Sequence, residues 1–280
     1  MNLPTNPGPS LNLIQLLAGT GLAVLIAVIS YLTRSLTAGG AWMLVVTGTI
    51  VFGFGGISFG LPIVFFFVSS TLLSRLKSSR KAQALEAFDK TGSRDYKQVL
   101  ANGGIGAVST VLYIITGWTG WYLVYLAAMG EACADTWATE IGTLSRQQPR
   151  HILNWETVEP GRSGGITLLG TAAALAGSIL TAVTGYFAVK ISSQPAVSLM
   201  AMTMSFSAGF LGSIIDSITG ATWQAQFRNC FTGKITEKKF TRGQKNIHIS
   251  GLSFIDNDAV NFFSTFMAGV FMLLFICLFL

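Results

Sequence analysis

The sequence predicts an all-α fold, a polytopic transmembrane helix bundle, and three observations carry that prediction. Of 280 residues, 51% are hydrophobic and only 11% are charged, against about 25% charged in an ordinary soluble domain. Long apolar stretches alternate with short segments that hold nearly all the lysine and arginine, which is the pattern of membrane spans and their loops. The 31 glycines suit helices that pack backbone to backbone in lipid. A single integral membrane domain over residues 1–280 is expected.

A spanning helix needs about 20 mostly apolar residues. On that basis spans are expected at Leu11–Thr33, Ala41–Gly53, Ile57–Ser74, Gln98–Thr116, Trp121–Thr143, Gly164–Val189, Val197–Gln226 and Asp256–Leu280. The second is short, and its separation from the third rests on Gly53, Gly55 and Gly56, so seven spans plus a re-entrant piece is the alternative. Met1–Ser10 reads as a short tail. It carries no Lys or Arg, hence no basic n-region of a cleaved signal, and the first apolar run reads as a retained span.

Charge orients the bundle. Segments Arg34–Gly40, Arg75–Lys97, Arg146–Arg162 and Arg228–Ser250 hold 1, 7, 3 and 6 Lys/Arg, which is 17 of the 18 in the chain. Eight alternating spans put all four on one side, and the positive-inside rule makes that side cytosolic. The loops there (75–97, 146–162 and 228–250) are expected to be short. The opposite connections, Gly117–Gly120 and Lys190–Ala196, are nearly uncharged. Lys77, Arg80, Lys81, Lys238 and Lys239 read as orienting charges that meet anionic lipid heads.

Cys133, Cys230 and Cys277, with His151 and His248, form no spacing that suits a disulfide framework or a zinc site. Gly177–Gly185 (GSILTAVTG) echoes Gly212–Gly220 (GSIIDSITG), and small-residue helix packing explains this better than duplication does.

Acidic residues inside spans cost about 2.5–3.5 kcal/mol each to insert, so Glu131, Asp135, Glu140 and Asp216 are the leading functional candidates. Counted from the outer end at about 1.5 Å per residue, Asp135 lies past the bilayer middle. Glu140 and Asp216 lie near the cytosolic edge, and Asp256 and Asp258 open the last span from that edge. Glu131 and Asp135 share a helical face at i, i+4. Asp216, Gly220 and Gln224 form a polar stripe, as do Arg94, Gln98 and Asn102, and Asn257 with Asn261. Glu140, five after Asp135, points elsewhere on an ideal helix and needs a helix end near Gly142 or a separate role. Pro160–Gly165 (PGRSGG) is a Gly-rich turn expected to lead straight into the sixth span, where free N–H groups, the helix dipole and Arg162 suit a phosphate. Carboxylates beside cations and such a turn suit a Mg²⁺–nucleotide complex. Interhelical hydrogen bonds and buried ion pairs are the plain alternative.

Five blocks carry a resemblance: Arg94–Gly103 (RDYKQVLANG), Ala134–Gly142 (ADTWATEIG), Pro160–Thr167 (PGRSGGIT), Gly212–Gln224 (GSIIDSITGATWQ) and Asn257–Asn261 (NDAVN). In this order they resemble the phytyl-phosphate kinase family, which includes the animal transmembrane protein 19 group. The resemblance runs from about Gly40 to the C-terminus. It implies phosphoryl transfer from a nucleoside triphosphate, CTP or ATP, to an isoprenyl monophosphate such as phytyl phosphate. The product would be an isoprenyl diphosphate for tocopherol and phylloquinone synthesis, made in a bacterial inner membrane or a thylakoid with the active site facing the cytosol. Asp135-x-x-Ala-x-x-x-Gly142 is also similar to the nucleotide-binding stretch of CTP-dependent polyprenol kinases and cytidylyltransferases.

The inventory the resemblance implies places Mg²⁺ on Asp135, Glu140 and Asp216, with Glu131 and Asp258 in support. Phosphates fall to Arg94, Lys97, Arg162 and the turn Gly161, Ser163, Gly164 and Gly165. Gln98, Asn102, Gln224, Asn257 and Asn261 are the hydrogen-bonding set. Partners are then the nucleotide, the isoprenyl monophosphate and membrane lipid, with no nucleic acid; the oligomeric state stays open. A lipid-phosphate cytidylyltransferase and a membrane transporter are the rival readings. A transporter would want its polar groups near the midplane.

Overall fold

The computed structural model describes residues 12–192 and 197–280. The expected tail Met1–Ser10, the first residue of the first predicted span and most of the connection Lys190–Ala196 lie outside them. Helix α1 (Leu13–Leu32) starts from an Asn12 cap. Helix α2 (Ala38–Gly48) runs into a π-helical stretch, Thr49–Phe54, and α3 (Gly55–Ser74) follows at once. Then come the short α4 (Ser79–Leu85), α5 (Tyr96–Thr116), α6 (Gly120–Gly142), α7 (Leu168–Ser192), α8 (Leu199–Thr222) and α9 (Asn257–Phe279).

By length and composition, six helical stretches among the described residues are apolar enough to cross a membrane, and Ala38–Ser74 counts as one of them. That stretch is a hairpin. Gly56 breaks it with φ 63° and ψ −152°. Gln15 Nε2, on the first turn of α1, donates to the carbonyls of Gly53 and Phe54 at 3.0 and 3.2 Å. The far ends of the stretch return together, since Arg75 Nη2 reaches Ser35 Oγ at 3.2 Å. Two arms therefore run antiparallel between the two ends of the bundle. With the more polar α6, eight long helical arms among the described residues join the two ends of the bundle.

Helix α6 is the axis. Tyr122 to Ala134 are buried without interruption, because α3, α5, α7, α8 and α9 all pack against it. Small residues make this possible. A Cβ on Gly209 would sit 3.0 Å from the Ala127 carbonyl oxygen, one on Gly177 3.1 Å from that of Cys133, and one on Gly170 3.0 Å from that of Ala138. The echoed motifs serve this packing: Gly177 and Gly185 face α6 from α7, and Gly212 faces Glu131 from α8. Near the other end, the Tyr122 hydroxyl donates to Gly185 O at 2.9 Å and the Tyr125 hydroxyl to Phe59 O.

The basic segments meet at one end, as expected. Thr37 N donates to Arg94 O, Arg94 N to Ser35 O, and Glu237 N to Ala87 O. Arg80 Nη1 donates to Ser145 O at 2.7 Å. The loops are more than short connections, however. They build antiparallel pairs: β1 (Arg150–His151) with β2 (Gly165–Ile166), then β3 (Gln226–Arg228) between β4 (Ile235–Thr236) and β7 (Ile247–Ser250), and a hairpin of β5 (Phe240–Thr241) with β6 (Gln244–Lys245). These pairs hydrogen-bond loop backbone groups within the fold.

Two span boundaries shift for the same reason. The sixth pass begins at Leu168, not Gly164, because Gly165 and Ile166 pair as a strand. The seventh ends at Thr222, and Gln226 belongs to β3.

Gly19→Ala tests the close packing, since its Cβ would lie 2.5 Å from Gly53 N, whereas Gly21 on the same helix faces open space. Overpacking of this kind costs about 1–3 kcal/mol. Gly19→Ala is expected to lower the melting temperature in detergent, and Gly21→Ala to leave it level or raise it, since alanine favours a helix interior over glycine.

Candidate functional site

At the basic end the helices enclose an open cleft of about 1150 Å³. Its floor and walls include Asp135, Thr139 and Glu140 from α6, Asp216 and Gly220 from α8, Gln98 and Asn102 from α5, and Asn257, Asp258 and Asn261 from α9. Arg80 and Lys81 of α4 line it with Arg34, Arg75, Arg94, Arg146, Arg162, Lys90 and Lys239 from the loops and helix ends.

The acids do not form one group; the structure separates them by partner. Glu140 lies next to the end of α6 at Gly142 and turns to α3 and α4. Its Oε2 is 2.5 Å from Lys81 Nζ, and its Oε1 accepts from Ser74 Oγ at 2.7 Å. Lys81 also donates to the carbonyls of Leu73 and Ser74, at 3.0 Å each, and so closes the C-terminus of α3. Asp258, in the first turn of α9, pairs with Lys90, which also reaches Asp95 Oδ2 at 2.7 Å. Burial works against the Lys90 charge, but hydrogen bonds to Asp258 and Asp95 outweigh it and raise its pKa. Glu131 is sealed below the cleft at 1% exposure, against Gly209 and Gly212.

Asp135 and Asp216 remain. Asp135 of α6 and Asp216 of α8 both line the cleft, close enough for their charges to interact. Ser264 Oγ donates to Asp216 Oδ2 at 2.9 Å, and the Asn261 amide, turned nitrogen inward, reaches the same oxygen at 3.3 Å. Among the described residues the ion pairs are those of Lys81 with Glu140, Lys90 with Asp95 and Asp258, and Lys234 with Glu86. Among the described residues neither Asp135 nor Asp216 has a cation of its own. Among these residues, too, no three His, Cys, Asp or Glu side chains gather as a self-sufficient metal site. Two carboxylates are nonetheless the usual protein share of a Mg²⁺ whose other ligands are phosphate oxygens and water, so the donor set fits that ion.

The remaining expected residues divide. Arg94 is held by its backbone against Ser35 and Thr37 and lines the cleft. Arg162 and Ser163 line it too, and Arg162 Nε is buried with no hydrogen-bond acceptor. The Gly161–Gly165 turn lines the cleft without being a helix start. Thr167 precedes α7 and its Oγ1 accepts from Gly170 N at 3.0 Å, taking one of the N–H groups a phosphate would need. Gly161 and Gly164 have φ of 86° and 78°, and a Cβ would strike Ala84 O or Ala221 Cβ at 2.4 Å in either case. Those glycines let the turn touch α4 and α8.

Gln98 serves first as the capping-box partner of Asp95, and Asn102 donates to Gln98 O at 3.0 Å. Gln224 is buried in the cleft wall, and Asn257 is exposed at its rim. Lys97 is exposed on α5 outside the cleft. Arg80, Lys81 and Lys239, expected at lipid heads, line the cleft instead.

Sequence reasoning missed Lys90, Asp95 and Glu237, since a loop lysine, a helix cap and a loop glutamate carry no signal before folding. Glu237 ties three loops: Ser163 Oγ donates to Oε1 at 2.9 Å and Asp89 N to Oε2 at 3.4 Å. Burial pushes its pKa up to about 7, with the Ser163 hydrogen bond pulling the other way.

The sequence model of "Integral membrane protein DUF92" matches residues 21–269. "Protein PGR" of Arabidopsis thaliana is 34% identical over 269 residues, 89% of this chain and 91% of its own. "Uncharacterized membrane protein MJ0933" of Methanocaldococcus jannaschii is 31% identical over 180 residues, 64% of this chain and 71% of its own. No solved structure matches significantly.

Two measurements test the site's electrostatics. Lys81 and Glu140 form a largely buried pair, so Lys81→Met or Glu140→Gln alone is expected to cost about 3–5 kcal/mol, and the double variant clearly less than the sum in chemical denaturation. For Glu237 the folded pKa of about 7 lies above the ordinary 4.5. The folded state therefore holds the proton more tightly, and stability falls as pH rises between those values. Glu237→Gln removes that loss: its advantage over wild type in thermal melts should grow from pH 4.5 to 7 and stay level above.

Proposed function

The chain belongs to the integral membrane family DUF92, and from that premise we propose that it is a Mg²⁺-dependent isoprenyl monophosphate kinase. The observation that carries this reading is the pairing pattern of the acids. Glu140 and Asp258 hold lysines of their own, while Asp135 and Asp216 face each other in a cation-lined cleft with none.

Asp135 and Asp216 would hold Mg²⁺, which when bound supplies charge neutralisation among phosphate groups. Arg94 and Arg162, which both line the cleft, bind phosphate oxygens. Ser264 and Asn261 fix the Asp216 carboxylate, so that it meets its ligand already oriented.

The acceptor, a phosphate monoester with a second pKa of about 6, is largely dianionic at neutral pH. It needs no general base, and neither histidine of the chain lines the cleft. One of its oxygens forms the new bond to the γ-phosphorus. The bond from that phosphorus to the β,γ-bridging oxygen breaks, and the nucleoside diphosphate leaves with the electron pair. Catalysis then rests on positioning and on neutralising two anions. The bundle end that carries the cleft is the cytosolic one, by its basic loops.

Purified protein with Mg²⁺, CTP or ATP, and phytyl monophosphate is expected to yield phytyl diphosphate and a nucleoside diphosphate. Asp135→Asn and Asp216→Asn should each lower that rate by about 10²–10³-fold, and Lys97→Ala should leave it unchanged. A CDP-lipid with pyrophosphate would replace this reading by the cytidylyltransferase one. Solute uptake into liposomes without any transfer would replace it by transport.

A further inference from the structure

The charges along the cleft are not mixed evenly. Arg34 just past α1, Arg75 at the end of α3, Arg80 and Lys81 of α4, Arg94 and Arg146 all line it. Their contacts gather them on one side. Arg75 Nη2 donates to Ser35 Oγ at 3.2 Å, and Ser35 O accepts from Arg94 N at 3.0 Å. Lys81 donates to Ser74 O, next to Arg75, and Arg80 donates to Ser145 O, next to Arg146. Glu140 is the acid that meets this group, through Lys81 and the field at Arg94. The other acids have their contacts elsewhere: Asp258 with Lys90, Glu237 with Ser163 and Asp89, and Asp216 with Ser264 and Asp135. Asp256 caps α9. One lobe of the cleft therefore holds six cations around a single carboxylate.

Neutral groups position these side chains without answering their charge. Arg75 and Arg80 meet a hydroxyl and a carbonyl. Among the described residues the Arg34 and Arg146 guanidinium groups have no hydrogen-bond or ion-pair partner. Arg94 is half-buried, and burial works against its charge more than Glu140 supports it. Like charges held together repel, and the planar fork of arginine matches phosphate oxygens in pairs.

We propose that this arginine lobe is a binding site for a chain of two or three linked phosphates. A phosphate monoester brings at most about two negative charges, too few for this lobe, whereas linked phosphates bring more along one line. The lobe also borders the acid pair. Glu140 follows Asp135 on α6 by five residues, about 7.5 Å of helix rise, so a chain seated here reaches toward Asp135. Charge and planar donors are what the lobe offers, and an inorganic chain satisfies both without a nucleoside. A lipid headgroup that carries two phosphates offers the same chemistry from the bilayer. The kinase reading would make the chain a phosphoryl donor; the binding itself does not rest on that reading.

The probe is inorganic tripolyphosphate, titrated calorimetrically into full-length protein in phosphatidylcholine nanodiscs. EDTA is present, so that no divalent cation at the acid pair assists. Tripolyphosphate is expected to bind about tenfold or more tightly than orthophosphate. Arg34→Gln with Arg146→Gln removes two groups that hold nothing in the fold, and should weaken binding about tenfold. Lys245→Gln, exposed outside the cleft, should not weaken it. Equal affinity for the two anions, or the same response in the double variant and in Lys245→Gln, overturns the lobe.

Nanodiscs that contain cardiolipin separate the two sources. Loss of tripolyphosphate binding there assigns the lobe to a lipid headgroup, and unchanged binding assigns it to a soluble chain. Transfer to phytyl monophosphate is assayed apart from binding. Tripolyphosphate binding without any transfer keeps the lobe and sinks the kinase reading; transfer without tripolyphosphate binding does the reverse.

Discussion

Everything at the basic end depends on how closely α7 and α8 approach α6. In lipid the tails are as apolar as any side chain, so helices associate through contact and hydrogen bonds and not through exclusion of water. Gly170, Gly177 and Gly209 bring the neighbouring backbones within reach of α6 carbonyl groups. Only at that spacing does Asp216 on one helix meet Asp135 on another. Larger residues at those positions would move the carboxylates apart and leave two isolated charges in place of one site.

Charge pairing then sorts the acidic residues. An acid near the membrane edge is expensive unless something answers its charge. Lys81 answers Glu140 and, by binding the last carbonyls of α3, also ends that helix. Lys90 answers Asp258 and Asp95 together, and so fastens the loop before α5 to the start of α9. These pairs make the rim of the cleft from charged groups that are already spent. What is left inside the bundle is Glu131, sealed below the cleft with both carboxylate oxygens unpartnered, and the Asp135–Asp216 pair, with hydroxyl and amide donors on one side and open cleft on the other.

The loops take part in the same construction. Glu237 draws residues 87–89, Ser163 and the β4 region into one knot. The Gly161 and Gly164 turn lies flat on α4 and α8. A cleft roofed in this way carries loop cations and helix carboxylates on the same lining.

The bundle was legible from the sequence because its causes are local. A run of about 20 apolar residues has nowhere to go but across a bilayer, and clustered Lys and Arg mark the loops whatever the helices do. The candidate residues were legible as types for the same reason, since an acid inside an apolar run stands out by its cost. Their division was not legible. Glu140 and Asp135 look alike in the chain, and Lys81 looks like any basic loop residue; only packing shows that Lys81 reaches Glu140 and that nothing cationic reaches Asp135. The Pro160–Gly165 turn read as a helix start, because nothing before folding reveals that Gly165 and Ile166 pair with Arg150 and His151. The sequence by itself determined the spans, their alternation and the basic end, through hydrophobicity and charge, which each residue carries alone. The tertiary structure decided which acids meet a lysine and which do not, because a partner is a property of two packed elements and exists only once they are packed.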